Sequence, residues 1–162
     1  MPELPEVEII RNDLLPQVVG RHFTKVSLLW SRSVRQPSPE EFCRRLVGQT
    51  IKDIRRRGKY LLFHLSNDEK LLLHLKMTGF LLFQPSSTKP DLHTRAVFYL
   101  DNDKGLYFYD QRKFGAMWLV EDETEVVGKL GAEPLDHDFT PEALSEVLSR
   151  HNMPIKALLC DQ

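Results

Sequence analysis

Apolar positions near the start of the chain recur at helical spacing. Val7, Ile10, Leu14, Leu15 and Val18 fall on one face of a helix running to about Val19. Pro5, Glu6 and Glu8 suit its first turn, where a missing N–H costs nothing and acids complement the helix dipole. The pattern then shifts to short apolar-rich runs. These predict strands at Phe23–Trp30, Thr50–Arg56, Tyr60–Leu65, Lys70–Leu75, Gly79–Phe83, Arg95–Leu100, Gly105–Tyr109 and Ala116–Val120. Ser66-Asn67-Asp68-Glu69 and Asp101-Asn102-Asp103-Lys104-Gly105 have hairpin-turn chemistry. Ser31 to Pro39 reads as a polar loop and Pro39–Leu46 as a short helix. Helical patterning returns near Glu123. Thr140-Pro141-Glu142 starts a helix to about Arg150, and another begins at Pro154. About eight short strands joined by tight turns predict an α+β fold. It is a two-layer antiparallel β-sandwich with an N-terminal helix, followed by a partial helical module. The domain boundary is expected near residue 135, giving residues 1–135 and 136–162. No glycine or basic cap closes the last helix before Gln162, so the chain is expected to be a fragment of a longer protein.

Composition narrows the class. The chain has 162 residues, 41% of them hydrophobic, and nine phenylalanines, enough for one well-filled domain. It has no apolar run of membrane-spanning length, and its acidic N-terminus lacks the apolar centre of a signal peptide. Cys43 and Cys160 lie far apart, so a cysteine-only zinc site cannot be assembled from this chain. These features predict a cytoplasmic protein with no metal of its own. A net charge of −1 argues against a uniformly basic nucleic-acid binder, but charge is uneven. Lys52 to Lys59 holds five bases and one acid, whereas Lys129 is the sole lysine or arginine between Glu121 and Glu142. Such a run is usually a solvated face, yet local density is also what tracks phosphates.

The N-terminus, Met1-Pro2-Glu3-Leu4-Pro5-Glu6, offers chemistry as well as a helix start. Removal of Met1 would expose the secondary amine of Pro2, and α-amino groups titrate near ~8. Part of that amine is therefore uncharged and nucleophilic at neutral pH. Its attack on a carbonyl-level carbon gives an iminium ion, an electron sink that needs no proton. Glu3 and Glu6 supply carboxylates nearby for proton transfer. A rigid helix behind Pro2 would hold the amine in place, so the two readings are compatible.

Three further segments carry candidate residues. Arg57-Gly58-Lys59-Tyr60-Leu61-Leu62 places a lysine at the mouth of an apolar strand. His74-Leu75-Lys76-Met77-Thr78-Gly79 puts a methionine at a turn. Asp110-Gln111-Arg112-Lys113-Phe114-Gly115 sets an aromatic beside two cations. Leu130-Gly131-Ala132-Glu133-Pro134-Leu135 and Ile155-Lys156-Ala157-Leu158-Leu159 follow. In this order, the set resembles the formamidopyrimidine-DNA glycosylases, bacterial base-excision enzymes for oxidised purines. The resemblance extends over essentially the whole chain.

The resemblance implies a role for each matching position. Pro2 would attack C1′ of the damaged nucleotide and form a Schiff base. Glu3 would act as acid and base, with Glu6 supporting the site beside the amine. Lys59 would contact phosphate and assist β-elimination. Met77, Arg112 and Phe114 match the family's intercalating trio, which fills the space vacated when a base leaves the stack. His93 and Lys113 would contact phosphate or groove. At Asn152 the family usually carries a basic DNA-contacting residue, so that contact is expected to be weaker. His74 stays open between a satisfied core histidine and a site residue. The implied partner is damaged double-stranded DNA, met by a monomer in the bacterial nucleoid. Longer members continue through the helix–two-turn–helix module into a four-cysteine zinc finger, so their one zinc ion would have no ligands here. The fragment is expected to bind DNA weakly and turn over poorly. A non-catalytic damaged-DNA-binding module of the same fold is the alternative.

Overall fold

The computed structural model describes residues 1–160, so the part of the last predicted helix at 161–162 lies outside the described residues. Five helices are present: α1 (Leu4–Val18), α2 (Pro39–Leu46), α3 (Thr124–Val127), α4 (Pro141–Arg150) and α5 (Ile155–Cys160). Nine strands run β1 (Phe23–Leu28), β2 (Val34–Gln36), β3 (Ile51–Arg57), β4 (Tyr60–Leu65), β5 (Lys70–His74), β6 (Gly79–Pro85), β7 (Thr94–Leu100), β8 (Lys104–Asp110) and β9 (Ala116–Val120). They form two sheets, ordered β1-β7-β8-β6 and β2-β9-β5-β4-β3.

The apolar stripe of α1 does what its spacing predicts. Val7, Leu14 and Val18 are buried, with Ile10 and Leu15 packed at the margin of the same core. That core fills the space between the sheets with side chains such as Phe23, Phe42, Phe63, Phe98, Phe108 and Met117. Phe98 meets Phe23 at 5.9 Å and Phe42 at 6.4 Å between ring centres, tying α2 to the first sheet. In α2, Ser38 caps the helix by accepting the Glu41 N–H, and Pro39 occupies the first turn.

One strand is additional to those expected. β2 lies inside the stretch read as a polar loop, and it pairs parallel to β9, so the larger sheet is mixed. Its three residues expose Arg35 and Gln36 and bury only Val34. Too short to show a period, it is a strand because β9 offers an edge, a long-range condition no local pattern reports.

The topology gathers several turns at one end of the sandwich. In the smaller sheet, β1 ends, β7 begins, β8 ends and β6 begins there, as the pairs Leu28↔Ala96, Thr94↔Tyr109 and Gly79↔Asp110 show. In the larger sheet, the β3–β4 turn and the end of β5 share that edge, through Arg57↔Tyr60 and Tyr60↔His74. Of the crossings between the sheets, the two that follow β5 and β8, 75–78 and 111–115, therefore lie at the same end. Backbone conformation is unusual in all three turns, with positive φ at Gly58, Lys76 and Lys113. Gly115 is required at the second crossing, because a Cβ there would sit 2.3 Å from the Phe108 ring.

Candidate active site and nucleic-acid interface

Glu3 caps α1, and the Oε2 atom of Glu6 accepts the Glu3 N–H at 3.0 Å. This capping-box contact fixes the backbone from which the Glu3 side chain projects. Across from it, the Lys59 ammonium lies 2.8 Å from Glu3 Oε2. Pro2 precedes this pair directly and is half-buried, with Met1 exposed beyond it. A cavity of about 460 Å³ opens here, lined by Glu3, Gly58, Lys59, Leu130, Glu133 and Leu159 among others.

The turn that presents Lys59 is held from behind. Arg56 has a side chain only 4% exposed and donates to Glu8 at 2.6 Å, to Glu133 at 2.8 Å and to the Gly58 carbonyl at 2.9 Å. Glu133 Oε2 also accepts the Gly58 N–H at 2.8 Å, and Arg57 donates to the carbonyls of Leu130 and Gly131. Burial alone would raise the Glu133 carboxyl, but the Arg56 and Gly58 hydrogen bonds outweigh it and hold it below the usual carboxylate range. Sequence reasoning quoted Glu133 within a motif but gave it no role. An acid in a segment matched to the basic run was the available signal.

At the wedge turns the structure brings Met77, Arg112 and Phe114 together. The Arg112 Nη1 atom lies 3.1 Å from Met77 Sδ, and its guanidinium sits 4.8 Å from the Phe114 ring centre. Met77 and Phe114 are 41% and 47% exposed, so apolar surface stands in solvent at a turn tip. Asp110, fully buried, ties the two crossings together. It accepts from the Thr78 hydroxyl, the Arg112 N–H at 3.2 Å and the Gly115 N–H at 2.6 Å. It too stood in a quoted motif without a role.

His93 lies at the same end of the smaller sheet. Its carbonyl accepts the Asp110 N–H at 2.9 Å, and its buried Nδ1 atom has no hydrogen-bond partner among the described residues. Lys113 stands 4.1 Å from the Trp30 ring centre. Asn152 is different: it sits in the exposed link between α4 and α5, with no hydrogen bond to the other candidates among the described residues.

His74 connects the two halves of the site. It stacks edge-on against Tyr60 at 4.4 Å, and its Nδ1 atom accepts the Lys76 N–H at 3.0 Å. Burial, then the nearby charges of Lys76 and Lys59, push it down to about 4, so it is neutral at ordinary pH. It is a satisfied, buried histidine wedged between the Lys59 turn and the Met77 turn.

Among the described residues, no group of three or more His, Cys, Asp or Glu side chains is placed to hold a metal ion. No helix among the described residues is long and apolar enough to cross a membrane.

A proline at position 2 beside a carboxylate–lysine pair, on a two-sheet sandwich with Met77 and Phe114 exposed at the same end, defines a narrow class. The chain belongs to the family described as formamidopyrimidine-DNA glycosylase N-terminal domain, whose sequence model matches residues 1–117. It is 40% identical to the formamidopyrimidine-DNA glycosylase of Protochlamydia amoebophila and 43% identical to that of Herpetosiphon aurantiacus. Both matches cover the whole chain and 59% and 60% of the relatives, so the chain spans well under two thirds of their length. Lactococcus lactis Fpg, solved with DNA containing an abasic site, superposes with a TM-score of 0.89 at 31% identity, over 98% of this chain and 60% of that one. MutM, solved with DNA containing carbocyclic 8-oxo-G, gives 0.88 at 31% identity, over 98% of this chain and 61% of that one.

Proposed function

We propose that the gene product carrying this chain is a bifunctional glycosylase and abasic-site lyase that excises oxidised purines from duplex DNA. The observation that carries the reading is the Glu3–Lys59 contact of 2.8 Å directly beside Pro2. Relatives solved with abasic-site, formamidopyrimidine and 8-oxo-G DNA support the substrate class. With Met1 removed, the neutral Pro2 nitrogen attacks C1′ and the base departs with the glycosidic electron pair. The attached Pro2 nitrogen gives up its proton, Glu3 protonates the ring oxygen, the sugar opens, and the nitrogen lone pair forms the iminium that links Pro2 to C1′. Loss of a C2′ proton then expels the 3′ phosphate, with Lys59 beside the leaving group. Glu6 acts through the backbone of Glu3.

Met77, Arg112 and Phe114 would occupy the gap left by the extruded nucleotide, an extrusion costing a few kcal/mol. His93, Lys113 and Asn152 would lie along the backbone. The domain boundary near residue 135 belongs to the same proposal. Glu133 is clamped to the sandwich, whereas α4 and α5 bury none of their residues. The protein would act as a monomer in the cytoplasm.

Intact mass and borohydride trapping test this. A product lacking Met1 should form a covalent adduct with duplex containing 8-oxoguanine or an abasic site, and should cleave the strand. Retained Met1 turns the Pro2 nitrogen into an amide and would leave only the non-catalytic DNA-binding reading.

A further inference from the structure

Next to the wedge lies a second cationic cluster, in which Lys113 is joined by Trp30 and Arg32, two residues that no sequence motif marks. Trp30 follows the end of β1, and Arg32 lies in the short 3-10 turn Ser31–Ser33. The N–H groups of Leu29 and Trp30 both donate to the Arg95 carbonyl, at 2.9 and 3.0 Å, which docks this segment on the start of β7. Arg95 in turn donates to the Asp110 carbonyl at 2.7 Å, beneath the wedge turn. Trp30 therefore sits beside the wedge through a chain of direct contacts. Its ring carries the Lys113 ammonium at 4.1 Å and the Arg32 guanidinium at 5.6 Å.

We propose that Trp30, Arg32 and Lys113 form a backbone-contact station for duplex DNA, extending the interface beyond the wedge; this rests on the DNA-repair reading above. Three observations favour a phosphodiester occupant. First, Arg32, Arg112 and Lys113 have no carboxylate within ion-pair distance among the described residues, unlike the cations of β3. Asp110, the buried acid beneath them, directs its carboxylate to the Thr78 hydroxyl and to the Arg112 and Gly115 N–H groups. The exposed cations are therefore left to attract an external anion. Second, the Trp30 ring already holds both cations, so it orders them and is not a vacant platform for a base. Third, Arg32 and Lys113 are exposed, and both stand at the sheet end that carries Met77, Arg112 and Phe114. DNA seated over the wedge must run across or alongside them.

The test is DNA affinity of the full gene product, read by fluorescence anisotropy between about 50 and 200 mM salt. An undamaged duplex and one with a stable abasic-site analogue are compared. Arg32→Gln should lower the slope of log affinity against log salt by about one, equally on both duplexes, because phosphate contacts read no lesion. Arg32→Lys should restore most of that slope. Trp30→Leu should weaken binding a few-fold, since both charges remain but lose their ordering surface. Lys104→Gln, at the opposite end of β8, should leave binding unchanged. Wild-type slope and affinity in Arg32→Gln would overturn this proposal while leaving the DNA reading intact. A loss confined to the damaged duplex would overturn it as well. Absence of salt-dependent DNA binding by the unaltered protein would overturn both readings. Arg32 is exposed and its side chain makes no hydrogen bond among the described residues, so this variant should fold normally.

Discussion

Lys52 to Lys59 packs five cations into a single strand and turn, whereas Arg32, Arg112 and Lys113 come from distant parts of the chain. By sequence density the first region could track phosphate, although such a run is usually a solvated face. The fold gives each of its cations a carboxylate partner. Lys52 meets Asp68, Arg55 meets Asp53, Arg56 meets Glu8 and Glu133, Arg57 meets Glu133, and Lys59 meets Glu3. The run is a neutralised girder that aims one lysine at the N-terminus. The scattered cations converge at one sheet end without carboxylate partners among the described residues. Clustering in sequence thus measures proximity but not availability, which depends on acids delivered from α1, the 67–69 turn and the 130–135 segment.

The largest test of this contrast is Glu133→Ala. It takes from the buried Arg56 guanidinium one of its two carboxylates, leaving Glu8, and frees the Gly58 N–H, a loss of about 3 kcal/mol in urea unfolding. Arg56→Met combined with Glu133→Leu should recover much of that stability, because the pair's desolvation cost disappears too. A small loss in Glu133→Ala would mean that the girder does not hold the Lys59 turn.

Asp110→Ala is the matching test at the other region. Three donors lose a buried acceptor, costing roughly 2–3 kcal/mol. Because the same carboxylate fixes both wedge crossings, faster amide hydrogen exchange should appear at Gly79, whose N–H closes the first crossing, and at Gly115 together. Exchange rising at only one of them would separate the crossings.

Acid should expose the joint between the regions. His74 is neutral in the fold down to about 4, whereas an unfolded histidine takes its proton near 6.5. Stability is therefore complete above about pH 6.5 and falls as pH drops toward 4, by about 2–3 kcal/mol in total. His74→Phe should flatten most of that decline. His64, which burial and then Arg55 also push down, contributes to the remainder, as does the Glu133 carboxylate at the acid end.

The smallest effect should come from Lys52→Gln. Its partner Asp68 is almost fully exposed, so stability should change by less than about 0.5 kcal/mol. The salt slope of DNA binding should stay the same, in contrast to Arg112→Gln. A reduced slope in Lys52→Gln would return the basic run to the interface.

Much of the fold was legible because its elements carry local signals. The stripe of α1, the Thr140 cap and eight apolar runs bounded by turn residues all correspond to observed elements. β2 was not legible, since three residues cannot display a period and its partner comes from much later in the chain. Motif resemblance picked out the candidate side chains that the fold gathers at one end. It missed Arg56, Glu133 and Asp110, whose roles consist of holding other residues' backbones. It also missed Trp30 and Arg32, which become part of a cationic surface only when β1 pairs with β7.

The central claim is that Pro2 is the nucleophile, with Lys59 beside it as a helper and not a rival amine. Borohydride-trapped complex of the Met1-free gene product with abasic-site duplex should be digested and the cross-linked residue identified by mass spectrometry. The account predicts a sugar remnant on the Pro2 nitrogen. A remnant on Lys59, or no covalent complex at all, would contradict it.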